Sequence, residues 1–302
     1  MSAPSAASRW AWLGRLWRLP TGRFGIVVVT AVGATALVSL FWLPDDPQRV
    51  DIADRWALPG LAHLLGTDNA GRDILSLLMA GARTTVVVAL GAGVVATVLG
   101  ILLAAIGALT TRWIRESVAV LVDILIAFPV LIIAMMITAV WGGSLWVVVW
   151  SVGIGFGVNI ARVTRPELRR VRESDFVLAG RAAGLGPVRN LAHHLLPNIA
   201  PVFIVQLSWS MAVAVLAEAG LSYLGFGAPV TEPSWGLLLA QLQQYLTIAP
   251  LAVLWPGLAI TVTVLGLNLL GDGLRDATDP ALARAGRRAR RRARTHVPEV
   301  IS

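Results

Sequence analysis

The chain has 302 residues, of which 56% are apolar and only 14% charged, with a mean hydropathy of +0.73. A water-soluble domain carries about a quarter charged residues, so this chain lacks the polar surface for water, and its long uncharged blocks fit a lipid bilayer. The net charge of +8 rests on 25 arginines with no lysine and no cysteine, which excludes a P-loop lysine, a Schiff-base lysine, thiolate nucleophiles and thiolate-held metal.

From the N-terminus, residues 9–19 alternate arginine with tryptophan and leucine and stop at Pro20. Two readings stand: an amphipathic segment lying in the membrane interface, or a positive flank that orients the first span. A hydrocarbon core of about 30 Å needs about 20 apolar helical residues, and residues 24–43 supply them. That block is longer than a secretory h-region and no small-x-small site follows Leu43, so it reads as an uncleaved anchor. Residues 44–83 then carry six aspartates and four arginines. The second span is 84–111, long enough to tilt. Residues 117–161 hold Asp123 as their only charge and are too long for one span. The Trp141-Gly142-Gly143-Ser144 break divides them into spans 117–140 and 142–161. A fifth span is expected at 198–220, carrying Glu218. The sixth is expected at 249–270, beyond Gln241, Gln243 and Gln244. The expected fold is all-α and polytopic, with six transmembrane helices.

Short arginine-rich loops stay cytoplasmic. With the N-terminus inside, segments 1–23, 112–116, 162–197 and 271–302 hold 21 of the 25 arginines. Both termini are therefore expected in the cytoplasm, with tryptophans such as Trp42, Trp113, Trp141 and Trp255 near span ends. The chain divides into an N-terminal interfacial segment (1–23), a six-helix membrane domain (24–270) that includes the connection 162–197, and an arginine-rich tail (271–302). The run 283–294 has seven arginines in twelve residues. It reads as a lipid-headgroup contact and not a nucleic-acid site, because the last span tethers it to the membrane.

The connection 162–197 carries its own helix signals. Thr164 and Glu167 form a possible capping box with Pro166 in the first turn. Ser174 or Asp175 can cap a helix running through Ala183, and Gly184 sits where a left-handed stop is wanted. Gly186-Pro187 opens a further helix, which Pro197 is expected to close. Ala179, Gly180, Ala182 and Ala183 are small enough to let another surface approach closely. Docking of a cytoplasmic partner is the preferred reading over a loop folded only on its own membrane domain.

The run 176–184, Phe-Val-Leu-Ala-Gly-Arg-Ala-Ala-Gly, followed by Leu196-Pro197, resembles the EAA loop of ABC-importer permeases. The family's glutamate falls on Leu178 and its second alanine on Gly180, while the glycine and the Leu-Pro pair are kept. Three more stretches resemble one branch, the C-type permease of dipeptide, oligopeptide and nickel importers. The first is Leu65-Gly66-Thr67-Asp68 with Gly71-Arg72-Asp73 and Gly81-Ala82-Arg83. The second is Leu221-Ser222-Tyr223-Leu224-Gly225-Phe226-Gly227 with Pro233-Ser234-Trp235-Gly236. The third is Trp255-Pro256-Gly257 with Asn268-Leu269-Leu270-Gly271-Asp272-Gly273-Leu274-Arg275-Asp276 and Asp279-Pro280. His194 and Asn198 also fit this branch, and the likeness covers about residues 20–280.

The resemblance implies a type I ABC-importer permease in the bacterial cytoplasmic membrane. Two homologous permeases would form one path, two P-loop ATPase domains would drive it, and an extracytoplasmic solute-binding protein would deliver the solute. The residues matching the ATPase-coupling motif are Ala179, Gly180, Gly184, Leu196 and Pro197, with Gly184 setting the bend. No catalytic residue, metal or cofactor is expected in this chain, because ATP and magnesium would lie on the ATPase partners.

Two carboxylates fall inside expected spans. Asp123 lies about six residues, ~9 Å at 1.5 Å per residue, from the inner end of the third span, and Glu218 lies toward the outer end of the fifth. Such groups are costly in lipid and are functional candidates. Helix–helix bonding or gating, a substrate path and a proton relay all stand as roles, and Ala127-Phe128-Pro129 after Asp123 offers a kink. Asp272 is expected at a helix terminus or subunit contact; position 269 is leucine, so no intramembrane aspartyl protease motif is present. The alternative function is a stand-alone ion-coupled secondary transporter, which predicts inverted repeats and broken helices in two halves. No clear repeat is visible. The resemblance leaves dipeptides, longer peptides and nickel complexes all open as solute.

Overall fold

The computed structural model describes residues 11–278 apart from Ala228 and Val230. The run 283–294 and Asp279-Pro280 therefore lie outside the described residues. Within them the chain is helical, and its single β contact is an isolated bridge between Thr67 and Asp73. The helices in chain order are α1 (Ala11–Arg18), α2 (Pro20–Ser39), α3 (Ile74–Leu109), α4 (Arg112–Ile126), α5 (Val130–Trp141), α6 (Leu145–Arg172), α7 (Asp175–Ala182), α8 (Pro187–Asn190), α9 (Leu196–Tyr223), α10 (Trp235–Leu242) and α11 (Pro250–Thr278).

Among the described residues five helical stretches are long and apolar enough to cross a bilayer, and α4 with α5 meets the same measure only as a pair bent by 82°, a broken span or a re-entrant loop. The third span expected at 117–140 is thus an elbow. Pro129 lacks an N–H and drives Phe128 out of the helical region. The end of α4 tightens instead, with Ala127 N donating to Ile124 O at 3.1 Å and Phe128 N to Leu125 O at 3.4 Å.

The helix that carries the second expected span begins ten residues before its uncharged run. Asp73 caps α3 by accepting from the Ser76 amide (2.7 Å) and hydroxyl (2.8 Å). Arg83, taken as a boundary charge, lies inside α3 and donates from Nε to Ser39 Oγ at 2.7 Å. Satisfied in this way, the guanidinium does not end the helix.

The bundle is held by close approach of small residues. On α3 and α6, Val88, Ala92, Ala96, Val148, Val152 and Ile160 form a buried core. A Cβ built on Gly153 would stand 2.6 Å from Val95 Cβ, and one on Gly157 2.8 Å from Leu99 Cβ. Between membrane helices there is no hydrophobic gain against lipid, so this backbone proximity and its dispersion energy hold the pair. The first and last long helices meet similarly, with Gly25 of α2 against Leu270 of α11.

The aspartate-rich connection 40–73 folds over one end of the bundle. Asp68, fully buried, accepts from the Ala70 and Arg72 amides (2.8 and 2.9 Å) and from Arg72 Nε (2.7 Å). Arg72 also donates to Gln241 Oε1 at 3.2 Å, and Trp235 Nε1 donates to Leu78 O at 2.8 Å. These bonds tie α10 to the start of α3.

Candidate functional site

The connection between α6 and α9 differs from its expected pattern at both ends. No capping box forms at Thr164. Its buried hydroxyl donates to Ile160 O at 2.7 Å, and α6 runs on through Pro166 to Arg172. With Thr164 bonded backward inside the turn, no residue adopts the extended cap conformation that would start a new helix. Pro197 does not close a helix either. The stretch from Pro187 continues to Tyr223 through a π turn at Leu191–Leu195, where Leu196 N donates to Leu191 O. The wide turn just ahead of Pro197 accommodates the residue without an N–H, and Asn198 Nδ2 donates to His194 O at 2.6 Å.

Between these ends the chain makes a compact pair of short helices. Ser174 stands before α7; its carbonyl accepts from Val177 N at 3.0 Å and Leu178 N at 3.1 Å. At the far end Gly184 has φ +82°, and Leu185 N donates to Gly180 O at 3.0 Å. This is a Schellman stop, and its left-handed residue is one that glycine adopts without strain. Gly186 then caps α8, with Pro187 as its first residue.

The pair has two faces. Inward, the fully buried Val177 packs with Leu168, Val171, Leu191, Leu195 and Ile199, and with Ala104 of α3. Outward, Phe176, Leu178 and Val188 are 46%, 49% and 68% exposed. Ala179, Gly184 and Pro197 are exposed, and Gly180 and Leu196 are half-buried. Gly180 is the point where α7 meets the π turn: a Cβ there would lie 3.1 Å from Leu185 Cδ1 and 3.6 Å from His194 Nε2. The Phe176 and His194 rings stand 6.1 Å apart. Val177 and the π turn thus place the pair in direct contact with α3, α6 and α9.

The two carboxylates are not brought together. Asp123 is 56% exposed on α4, and its Oδ1 lies 3.9 Å from Nε of Arg162 on α6. It bridges two helices at the arginine-rich end of the bundle. Glu218 is 1% exposed and accepts from Ser222 Oγ at 2.7 Å, near the opposite end of α9. Its other oxygen is buried without a hydrogen-bond partner among the described residues. Asp272 lies exposed within α11, which runs on to Thr278, so it is not at a helix terminus. The π turn and Arg162 escaped sequence reading. Pro197 after a helix-forming run was the one signal for the π turn, and a cross-helix ion pair leaves no local signal.

The family of the binding-protein-dependent transport system inner membrane component matches residues 96–284. A putative peptide transport system permease protein of Brucella abortus is 37% identical over 275 residues, covering 90% of this chain and 92% of that protein. The nickel transport system permease protein NikC of Escherichia coli K12 is 32% identical over 260 residues, 86% of this chain and 94% of the other. Among solved structures, a chain of the inward-facing MetNI methionine ABC transporter matches with a TM-score of 0.56 at 20% identity. It covers 68% of this chain and 98% of that one, a likeness of fold.

Proposed function

This chain belongs to the family of binding-protein-dependent transport system inner membrane components, and from that premise we propose that it is the permease subunit of an ATP-driven importer for di- or oligopeptides or a related small solute. The relatives' names, peptide permease and nickel permease, support that range of solutes. The six apolar passages cross the cytoplasmic membrane with both termini inside, following the arginine distribution. A second permease completes the path. The bare apolar face of the α4–α5 elbow, with Leu121, Ile124, Phe128, Ile132 and Met136 all more than half exposed, is available to it or to lipid.

The observation that carries the coupling reading is the two-faced helix pair. An exposed apolar ridge for an ATPase domain backs directly onto a buried residue, Val177, keyed into three long helices. ATP and magnesium belong to that partner; this chain receives its motion and is not a catalyst. Asp123, bridging α4 to α6 beside the elbow, acts in gating. Glu218, buried and bonded to Ser222 of its own helix, serves a structural role near the end of α9. An extracytoplasmic binding protein delivers the solute to the capped end formed by residues 40–73 and α10.

The test is solute accumulation in proteoliposomes holding this chain with its co-purified partners. Uptake that requires internal ATP and persists without an ion gradient supports the importer. Uptake driven by an ion gradient without ATP overturns it in favour of the secondary transporter.

A further inference from the structure

At the arginine-rich end, a cavity of about 700 Å³ opens between α3, α4, α6 and α7. Its rim carries Arg112, Arg115, Arg165, Arg169 and Arg172 against only two carboxylates, Glu116 and Glu173. Those two are already engaged, Glu116 by Arg112 at 2.7 Å and Glu173 by Arg169 at 3.3 Å. Arg165 forms no ion pair among the described residues, so the rim is left with surplus positive charge. The wall is apolar, with Leu103, Val118, Val122 and Leu168. Just outside, Trp113 is 81% and Ile114 49% exposed, the amphipathic ring and aliphatic neighbour expected at a membrane interface.

We infer that this cavity seats one anionic phospholipid of the adjoining leaflet, its phosphate among the arginines and the start of its acyl chains along the α3–α4 wall. The chemistry is complementary at each level. A guanidinium fork matches phosphate oxygens, a basic recess between membrane helices suits an anionic headgroup, and the apolar wall continues into the lipid-facing surface. A soluble phosphate would use the arginines but leave the apolar wall wet. The lipid would tie α4 to α6 and to Leu178 of α7, which also lines the cavity, and so brace the coupling pair. This seat rests on the proposed orientation, with the arginine-rich end at the cytoplasmic leaflet.

Native mass spectrometry of the full-length chain, released from detergent after incubation with dioleoyl phosphatidylglycerol or dioleoyl phosphatidylcholine, tests it. The expected result is one retained phosphatidylglycerol, favoured about tenfold over phosphatidylcholine. The double variant Arg115→Ala with Arg165→Ala should lose that preference, and Arg115→Lys with Arg165→Lys should keep most of it. Arg170→Ala, whose guanidinium bonds Glu167 away from the cavity, should behave as wild type. Equal retention of the two lipids by the wild type overturns the inference without reference to any variant. So does full phosphatidylglycerol retention by the double alanine variant. Displacement of the lipid by millimolar inorganic phosphate, or its absence from the assembled transporter, would assign the cavity to a soluble anion or to a partner's acidic side chain and also overturn it. Orientation is read separately. The chain has no native cysteine, so Val188→Cys labelled only from the cytoplasmic side supports the orientation whatever the lipid result, and labelling from outside contradicts the orientation alone.

Discussion

At Gly184 a φ of +82° holds the stop between α7 and α8, yet a Cβ built there meets nothing within 4 Å. The demand is on the backbone and not on space. A β-branched residue at that φ costs upwards of about 1–2 kcal/mol, whereas asparagine tolerates it. Gly184→Val should therefore abolish or uncouple ATP-driven uptake while membrane insertion stays normal, and Gly184→Asn should retain most activity. Normal uptake by the valine variant would count against the coupling role. Asp123 is tied to Arg162 across two helices. Asp123→Ala and Arg162→Ala should lower uptake to a similar degree, and the double variant should be little worse than either, as expected for one shared interaction. Fully additive losses would show that the two act separately. The sequence made Asp123 conspicuous as a charge in an apolar run but could not supply its partner, which lies on a separate helix 39 positions later in the chain.

At the scale of elements, the helices could be read wherever the cause was local. Pro129 signalled a break, and Gly184 signalled a stop followed by Gly186-Pro187. Charged residues, however, do not mark the ends of the helices. Arg83 is accommodated inside α3 by Ser39 of α2, and Thr164 bonds inside its own turn, so α3 starts earlier and α6 ends later than their uncharged runs. The 82° angle of the elbow depends on what α4 and α5 pack against, which no short stretch of sequence encodes. The α3–α6 seam provides a direct test of the packing account. Gly153→Leu would force a side chain into Val95, and overpacking of this kind costs about 1–3 kcal/mol. Thermal unfolding in detergent should shift down by several degrees, whereas Gly107→Leu, where a Cβ meets nothing within 4 Å, should shift it little. Equal shifts would remove the seam as a principal contact.

For the whole molecule, composition and block lengths were enough for a multi-pass α-helical membrane protein, and the motif set was enough for the permease family. The connection 40–73 was legible only as an aspartate-rich stretch whose motifs resemble the C-type permeases. In the fold its Asp68, Arg72 and Asp73 become the bonds that fasten the cap to α3 and α10. The cap at one end and the exposed apolar ridge at the other are the two surfaces that the proposed function assigns to outside partners. The most direct measurement is gentle purification of the tagged chain from its native membrane, with identification of every protein that accompanies it. The account predicts a second homologous permease together with P-loop ATPase chains. A chain that purifies alone and still accumulates solute in ATP-free vesicles under an ion gradient would contradict it.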